Sequence, residues 1–181
     1  MIPSGYLFKQ VTSRPDWLDV PGRPQRVFSM SGCISRDFAD YTDAWRHNGF
    51  WLFDEPQIIE HFATANGISL AGLTCFYYET FEQQYDAVTA TWQPVVLHPD
   101  LPTAVTVPTK AALHGFDVVA FSGGTGAECS PLSCNSLAEE VAVNDRCLFD
   151  TFEEAKRALE SGLFRNAEPG PYRIVAVYVV G

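Results

Sequence analysis

The sequence predicts an α+β fold: a single domain over residues 1–181, with a mixed or antiparallel central sheet and about four helices. Two apolar runs of strand length, residues 116–121 and Tyr172–Val180, alternate with segments whose apolar residues recur at helical spacing. Pro94, Pro99, Pro102 and Pro108 cut the middle of the chain into short extended pieces, because proline is excluded from helix interiors and central strands. A set of features also recurs in the same order in both halves. This predicts structural repeats near residues 27–78 and 116–180, related by a pseudo-twofold axis. A chain of 181 residues suits one domain that buries roughly two thirds of its unfolded surface without metal or disulfide staples.

From the N-terminus, residues 6–11 read as a short strand that ends at the polar run 12–15, and residues 27–30 form a second strand candidate beyond a Pro- and Gly-containing loop. Ser35 caps a predicted helix of about three turns. Its apolar face carries Phe38, Tyr41, Thr42 and Trp45, and Asn48 and Gly49 stop it. Residues 50–53 make an apolar strand or turn. Asp54 caps the next helix, with Pro56 in the first turn, where a missing amide hydrogen does no harm. Ile58, Ile59, Phe62 and Ala63 form its buried stripe.

Residues 73–78 read as a strand, and 79–92 fit either a continuing strand or a short helix around 82–85. The continuous apolar run 116–121 is the best candidate for a central strand and leads into a glycine loop, 122–126. Ser136 and Glu139 have the spacing of a capping box for a short helix to about residue 141. Asp150 or Thr151 caps the strongest helix, in which Phe152, Ala155, Ala158 or Leu159, and Leu163 recur at helical spacing. The nearly all-apolar last strand suits the middle of a sheet.

The repeat rests on two matches. Residues 48–54 (Asn-Gly-Phe-Trp-Leu-Phe-Asp) resemble residues 144–150 (Asn-Asp-Arg-Cys-Leu-Phe-Asp), and upstream of each a Cys-x-Ser places a cysteine, Cys33 or Cys134, two residues before a helix cap.

Apolar residues make up 46 % of the chain and charged ones 19 %, which excludes a disordered protein. The formal charge of −10 repels a phosphate backbone and no basic patch offsets it, so nucleic acid is not an expected partner. No apolar run is long enough to span a bilayer, and residues 1–11 carry no stretch of signal-peptide length. Together with five cysteines, an odd number, in a chain too large to need bridges, this predicts a cytoplasmic protein with free thiols.

The densest group of reactive and small residues is 123–135. Cys134 sits beside the expected helix N-terminus, where unpaired amides favour a thiolate, and Cys129 is the second candidate. His114, just ahead of the strand that feeds this loop, is the nearest histidine in sequence to serve as its base. A zinc reading is weak: Cys129-x4-Cys134-x12-Cys147 has too wide a first gap and needs His114 or Cys33 as fourth ligand. The glycine loop lacks the lysine ending of a phosphate-binding loop, and no cofactor is expected.

Trp45, Trp51 and Arg173 are candidate interface residues, with Arg173 a candidate carboxylate anchor. Net charge and the lack of a complete catalytic motif point first to a non-enzymatic intracellular binding or regulatory protein, one subtype of which is an acidic inhibitor of a basic protein partner. The alternative is a small cysteine-dependent hydrolase or transferase using Cys134.

Overall fold

A computed structural model describes residues 1–18, 24–33, 47–121 and 129–181. In chain order they form β1 (Ile2–Gln10), β2 (Thr12–Ser13), β3 (Arg26–Val27), α1 (Pro56–Ala65), β4 (Leu73–Asp86), β5 (Thr91–Pro94), β6 (Ala111–Ala120), α2 (Pro131–Cys134), α3 (Phe152–Glu160) and β7 (Tyr172–Val180). The main sheet has the order β1-β4-β7-β6 with β5 paired to the far end of β4, and every pairing is antiparallel. The fold is therefore α+β around an antiparallel sheet. It has three α-helices among the described residues rather than about four; the helix expected after Ser35 and the glycine loop lie outside them. No helix among the described residues is long and apolar enough to cross a membrane.

The last strand takes the middle position its composition demands, with residues 172–177 buried between β4 and β6. The expectation for residues 116–121 is corrected: β6 is a terminal strand of the sheet. Its second half is nonetheless buried, at residues 117–120, where the outer edge is met by bridges from Phe149 to Phe116 and from Cys129 to Ala120. The ambiguous stretch 79–92 resolves as the β4-β5 hairpin, and the second strand candidate shrinks to β3, paired with β2.

Helix caps divide the same way. Thr151 begins α3 with a complete capping box, its hydroxyl accepting from the Glu154 amide at 3.2 Å and the Glu154 carboxylate accepting from the Thr151 amide at 2.9 Å. Asp54 does not cap α1: Glu55 holds that position without a side-chain bond, and Asp54 instead accepts from Asn48. Ser136 makes no capping box either. It adopts φ 59° ahead of a single 3-10 turn, Leu137–Glu139.

One local arrangement occurs twice. Gly5 in β1 and Gly115 in β6 each follow a β-bulge and have φ of +133° and +140°. Asn48 and Asn144 reach back to the bulge: their amide nitrogens donate to the carbonyls of Ser4 and His114, both at 2.9 Å, and to Asp54 and Asp150. Their side-chain oxygens accept from the amides of Phe50 and Leu52, and of Arg146 and Leu148. Trp51 and Cys147, each three residues on, share φ 62°, and Phe53 and Phe149 bridge the residues after the glycines, Tyr6 and Phe116. Gly5, Tyr78, Val177 and Gly115 form one row across the four strands. The strand that stands to Asn48 as β6 stands to Asn144 is thus β1, not residues 27–30.

Each asparagine accepts from two backbone amides and donates to one backbone carbonyl at its bulge. Asn144→Ala and Asn48→Ala are each expected to cost about 3 kcal/mol, since an unsatisfied buried group costs roughly 1–3 kcal/mol. Chemical denaturation of the two variants checks this; a loss near zero in either contradicts it.

Candidate functional site

Near its end β6 passes from Asp117 to Ala120, and Cys129 bridges Ala120 with an amide-to-carbonyl bond of 2.8 Å. The chain then makes the single turn of α2, opened by Pro131, and the Cys134 amide donates to the Ser130 carbonyl at 2.9 Å. Cys134 therefore ends a one-turn helix and does not sit at a helix N-terminus.

The other wall comes from the first half of the chain. The amides of Gln25, Arg26 and Phe28 donate to the carbonyls of Asp145 and Arg146, leading residues 28–33 towards α2. Two buried charged side chains hold this segment. The carboxylate of Asp117 accepts from the Met30 amide at 2.9 Å and from the Ser130 hydroxyl at 2.7 Å, joining both walls. The ammonium of Lys9 donates to the carbonyls of Met30 and Ser31 at 2.8 and 2.6 Å.

The result is a cluster of three sulfurs. The Sγ atoms of Cys33, Cys129 and Cys134 lie within 4.8 Å of one another, and the Ser31 hydroxyl lies 3.4 Å from Cys134. Cys129 is buried, Cys134 half-buried and Cys33 exposed, so the cluster runs from the interior to solvent.

These neighbours separate the thiols electrostatically. The Cys134 thiol is held below its ordinary range, first by the hydrogen bond from Cys129 and then by donors from Ser31, the Ser130 backbone and Cys33, against the opposing effect of burial. Cys129 is pushed up by that same bond and by burial, and Cys33 is raised by burial and by Cys134. The Cys129 thiol donates to the Asn135 side-chain oxygen at 3.7 Å. Burial raises Asp117 to about 7, outweighing its donors.

His114 stands apart from this cluster, its ring edge-on to Phe28 at 5.3 Å, with its pKa lowered by burial and by Arg146. All four histidines are described: His47 and His98 pack on Trp51, and His61 lies on α1 against Phe62. Cys147 is buried with its thiol pushed up by burial, and the cysteine that joins Cys129 and Cys134 is Cys33. Three sulfurs at this separation match the donor chemistry of a soft metal ion.

Of the interface candidates, Trp45 lies outside the described residues and Trp51 stacks on His47 at 3.9 Å. Arg173 is 8 % exposed, with its guanidinium 4.2 Å from the Phe121 ring centre and its Nε donating to Gln84 at 3.2 Å, and burial lowers its pKa to about 10.

The sequence brings Cys33 to Cys129 and Cys134 only as an alternative fourth zinc ligand, and it does not place Lys9, Ser31 or Asp117 at the site. A signal was present for two of them: a lysine and an aspartate inside otherwise apolar strand segments need buried partners. Comparison of the chain with protein-family models, curated proteins and solved structures finds no match.

Proposed function

We propose that this protein is a cysteine-dependent enzyme in which Cys134 is the nucleophile. One observation carries the reading: the sulfurs of Cys33, Cys129 and Cys134 lie within 4.8 Å of one another, and the buried Ser31 hydroxyl lies 3.4 Å from Cys134. A thiolate, not a thiol, is the nucleophile, and donors aimed at the sulfur favour that form. Cys134 is ionised by these donors rather than by a histidine base. Cys129 stays protonated as the principal donor, and Asp117 and Lys9 position the segment that brings Ser31.

The reading treats the halves as copies of one unit, supported by the matched glycine and asparagine hydrogen bonds. Ser29-x3-Cys33 and Ser130-x3-Cys134 are then corresponding segments that meet at the site. The binding-protein reading draws on the net charge of −10, a property of the whole chain rather than of a placed set of groups.

Alkylation by iodoacetamide, mapped by mass spectrometry across pH, tests the proposal. Alkylation needs the thiolate, so a lowered pKa makes Cys134 reactive where ordinary thiols are protonated. At about pH 6, Cys134 is expected to label at least about tenfold faster than the other cysteines. Cys129→Ala is expected to move its profile towards that of a free thiol. Slow labelling of Cys134 with an ordinary or raised apparent pKa rejects the proposal.

A further inference from the structure

The reaction class can be narrowed from the groups that surround the nucleophile. Expelling an amine or an alkoxide requires a proton donor for the leaving group; the four histidines pack on Phe28, Trp51 and Phe62, and the Asp117 carboxyl is turned to the Met30 amide and the Ser130 hydroxyl. A thiolate leaves without one, because it is a stable anion near neutral pH. The site also holds what simple acyl or alkyl transfer does not use, a solvent-exposed second thiol, Cys33, within 4.8 Å of the nucleophile.

We infer that the substrate class is a disulfide, and that Cys134 and Cys33 form an exchange pair that reduces it. This rests on the reading of Cys134 as nucleophile. The Cys134 thiolate attacks one sulfur of R–S–S–R′, forming a mixed disulfide while the S–S bond breaks and R′S⁻ leaves with the electron pair. Cys33 then gives up its proton and attacks the Cys134 sulfur, forming the Cys33–Cys134 disulfide and releasing RS⁻. Two electrons pass from the cysteine pair to the substrate, and the two protons the pair has lost end on RSH and R′SH. An external thiol resets the pair by the reverse exchange. Cys33 fits the second step because it stands at the exposed edge of the cluster, whereas Cys129 is buried and its thiol donates to the Asn135 side-chain oxygen. The two reacting cysteines come from different halves of the chain, so oxidation would staple residues 28–33 to α2.

The test treats the reduced full-length protein with hydroxyethyl disulfide, counts the thiol released and maps the products without reduction. The wild type is expected to release two thiols per chain and to acquire a Cys33–Cys134 bond. Cys33→Ser is expected to stop at a mixed disulfide on Cys134 with one thiol released, and Cys134→Ser to release none. Circular dichroism of both variants confirms that they fold. If Cys134 is alkylated rapidly but the wild type stops at the mixed disulfide, ignores the disulfide or closes a Cys129–Cys134 bond, the exchange pair is overturned while the nucleophile stands. If Cys134 reacts with neither reagent, both fall. A stoichiometric zinc or copper ion in the purified protein, released only when the thiols are blocked, overturns the inference in favour of a metal site.

Discussion

Gly115→Ala is expected to destabilise the protein by about 4 kcal/mol, adding strain at a glycine-only backbone conformation to overpacking against a rigid neighbour. The φ of +140° excludes a side chain on its own. A Cβ there would lie 2.6 Å from the Phe149 carbonyl oxygen, 2.8 Å from the Leu148 Cβ and 2.9 Å from the Asn144 amide nitrogen. None of these can retreat: the carbonyl bridges Phe116 and the asparagine holds the bulge. Gly5→Ala meets Phe53, Leu52 and Asn48 in the same way, at 2.5, 2.8 and 3.1 Å, and a similar loss is expected. Gly72→Ala is the control. Its φ of +83° is strained but nothing lies within 4 Å, so about 1 kcal/mol is expected. Urea denaturation of the three variants separates the contributions. Equal losses at Gly115 and Gly72 would show that the close approach is not there.

The second large effect is expected at Asp117. Asp117→Ala leaves the Met30 amide, the Ser130 hydroxyl and the Val118 amide without their acceptor, at a cost of about 3 kcal/mol. Its pH dependence has a definite sign. Burial raises the folded-state carboxyl to about 7 from an ordinary 3.8. A group whose folded pKa is raised stabilises fully below its unfolded value and loses that contribution as pH rises through the folded value. The stability gap between wild type and Asp117→Ala is therefore expected to narrow from pH 3.8 towards about 7; a gap that widens over this range contradicts the assignment. The variant also frees the segment bearing Ser31, so the alkylation profile of Cys134 is expected to shift towards higher pH. A residue that contributed stability alone would lower the melting temperature and leave that profile unchanged.

Much of the fold is legible in the chain because its causes are local. Thr151 and Glu154 declare the start of α3, and the last strand announces its central place by carrying apolar residues on both faces. The paired Asn-to-Asp segments are visible as sequence, but their purpose is not. Asn48 and Asn144 act on bulges 44 and 30 residues away, and nothing in the local pattern marks Gly5 and Gly115 as the glycines they cover. The same limit explains the error at β6, a terminal strand that reads as central and whose outer edge is met by bridges from Phe149 and Cys129.

The site was legible only by residue type. Cys134 is conspicuous beside Cys129, yet Ser31, whose hydroxyl lies 3.4 Å from its sulfur, is 103 residues away and Met30 meets Asp117 across 87. Cys134 ends a one-turn helix rather than preceding a helix N-terminus, and the expected base, His114, packs on Phe28 instead. Such assembly depends on strand order and on the path between strands, which are non-local properties of the chain.

The thiolate proposed for Cys134 can be tested without any reagent. Ultraviolet absorbance of the thiolate, recorded against pH as the difference between wild type and Cys134→Ser, is expected to show a single ionisation well below that of a free thiol. If the difference spectrum instead rises only where an unperturbed thiol ionises, or above it, the donors around Cys134 do not create a nucleophile and the account of this site is wrong.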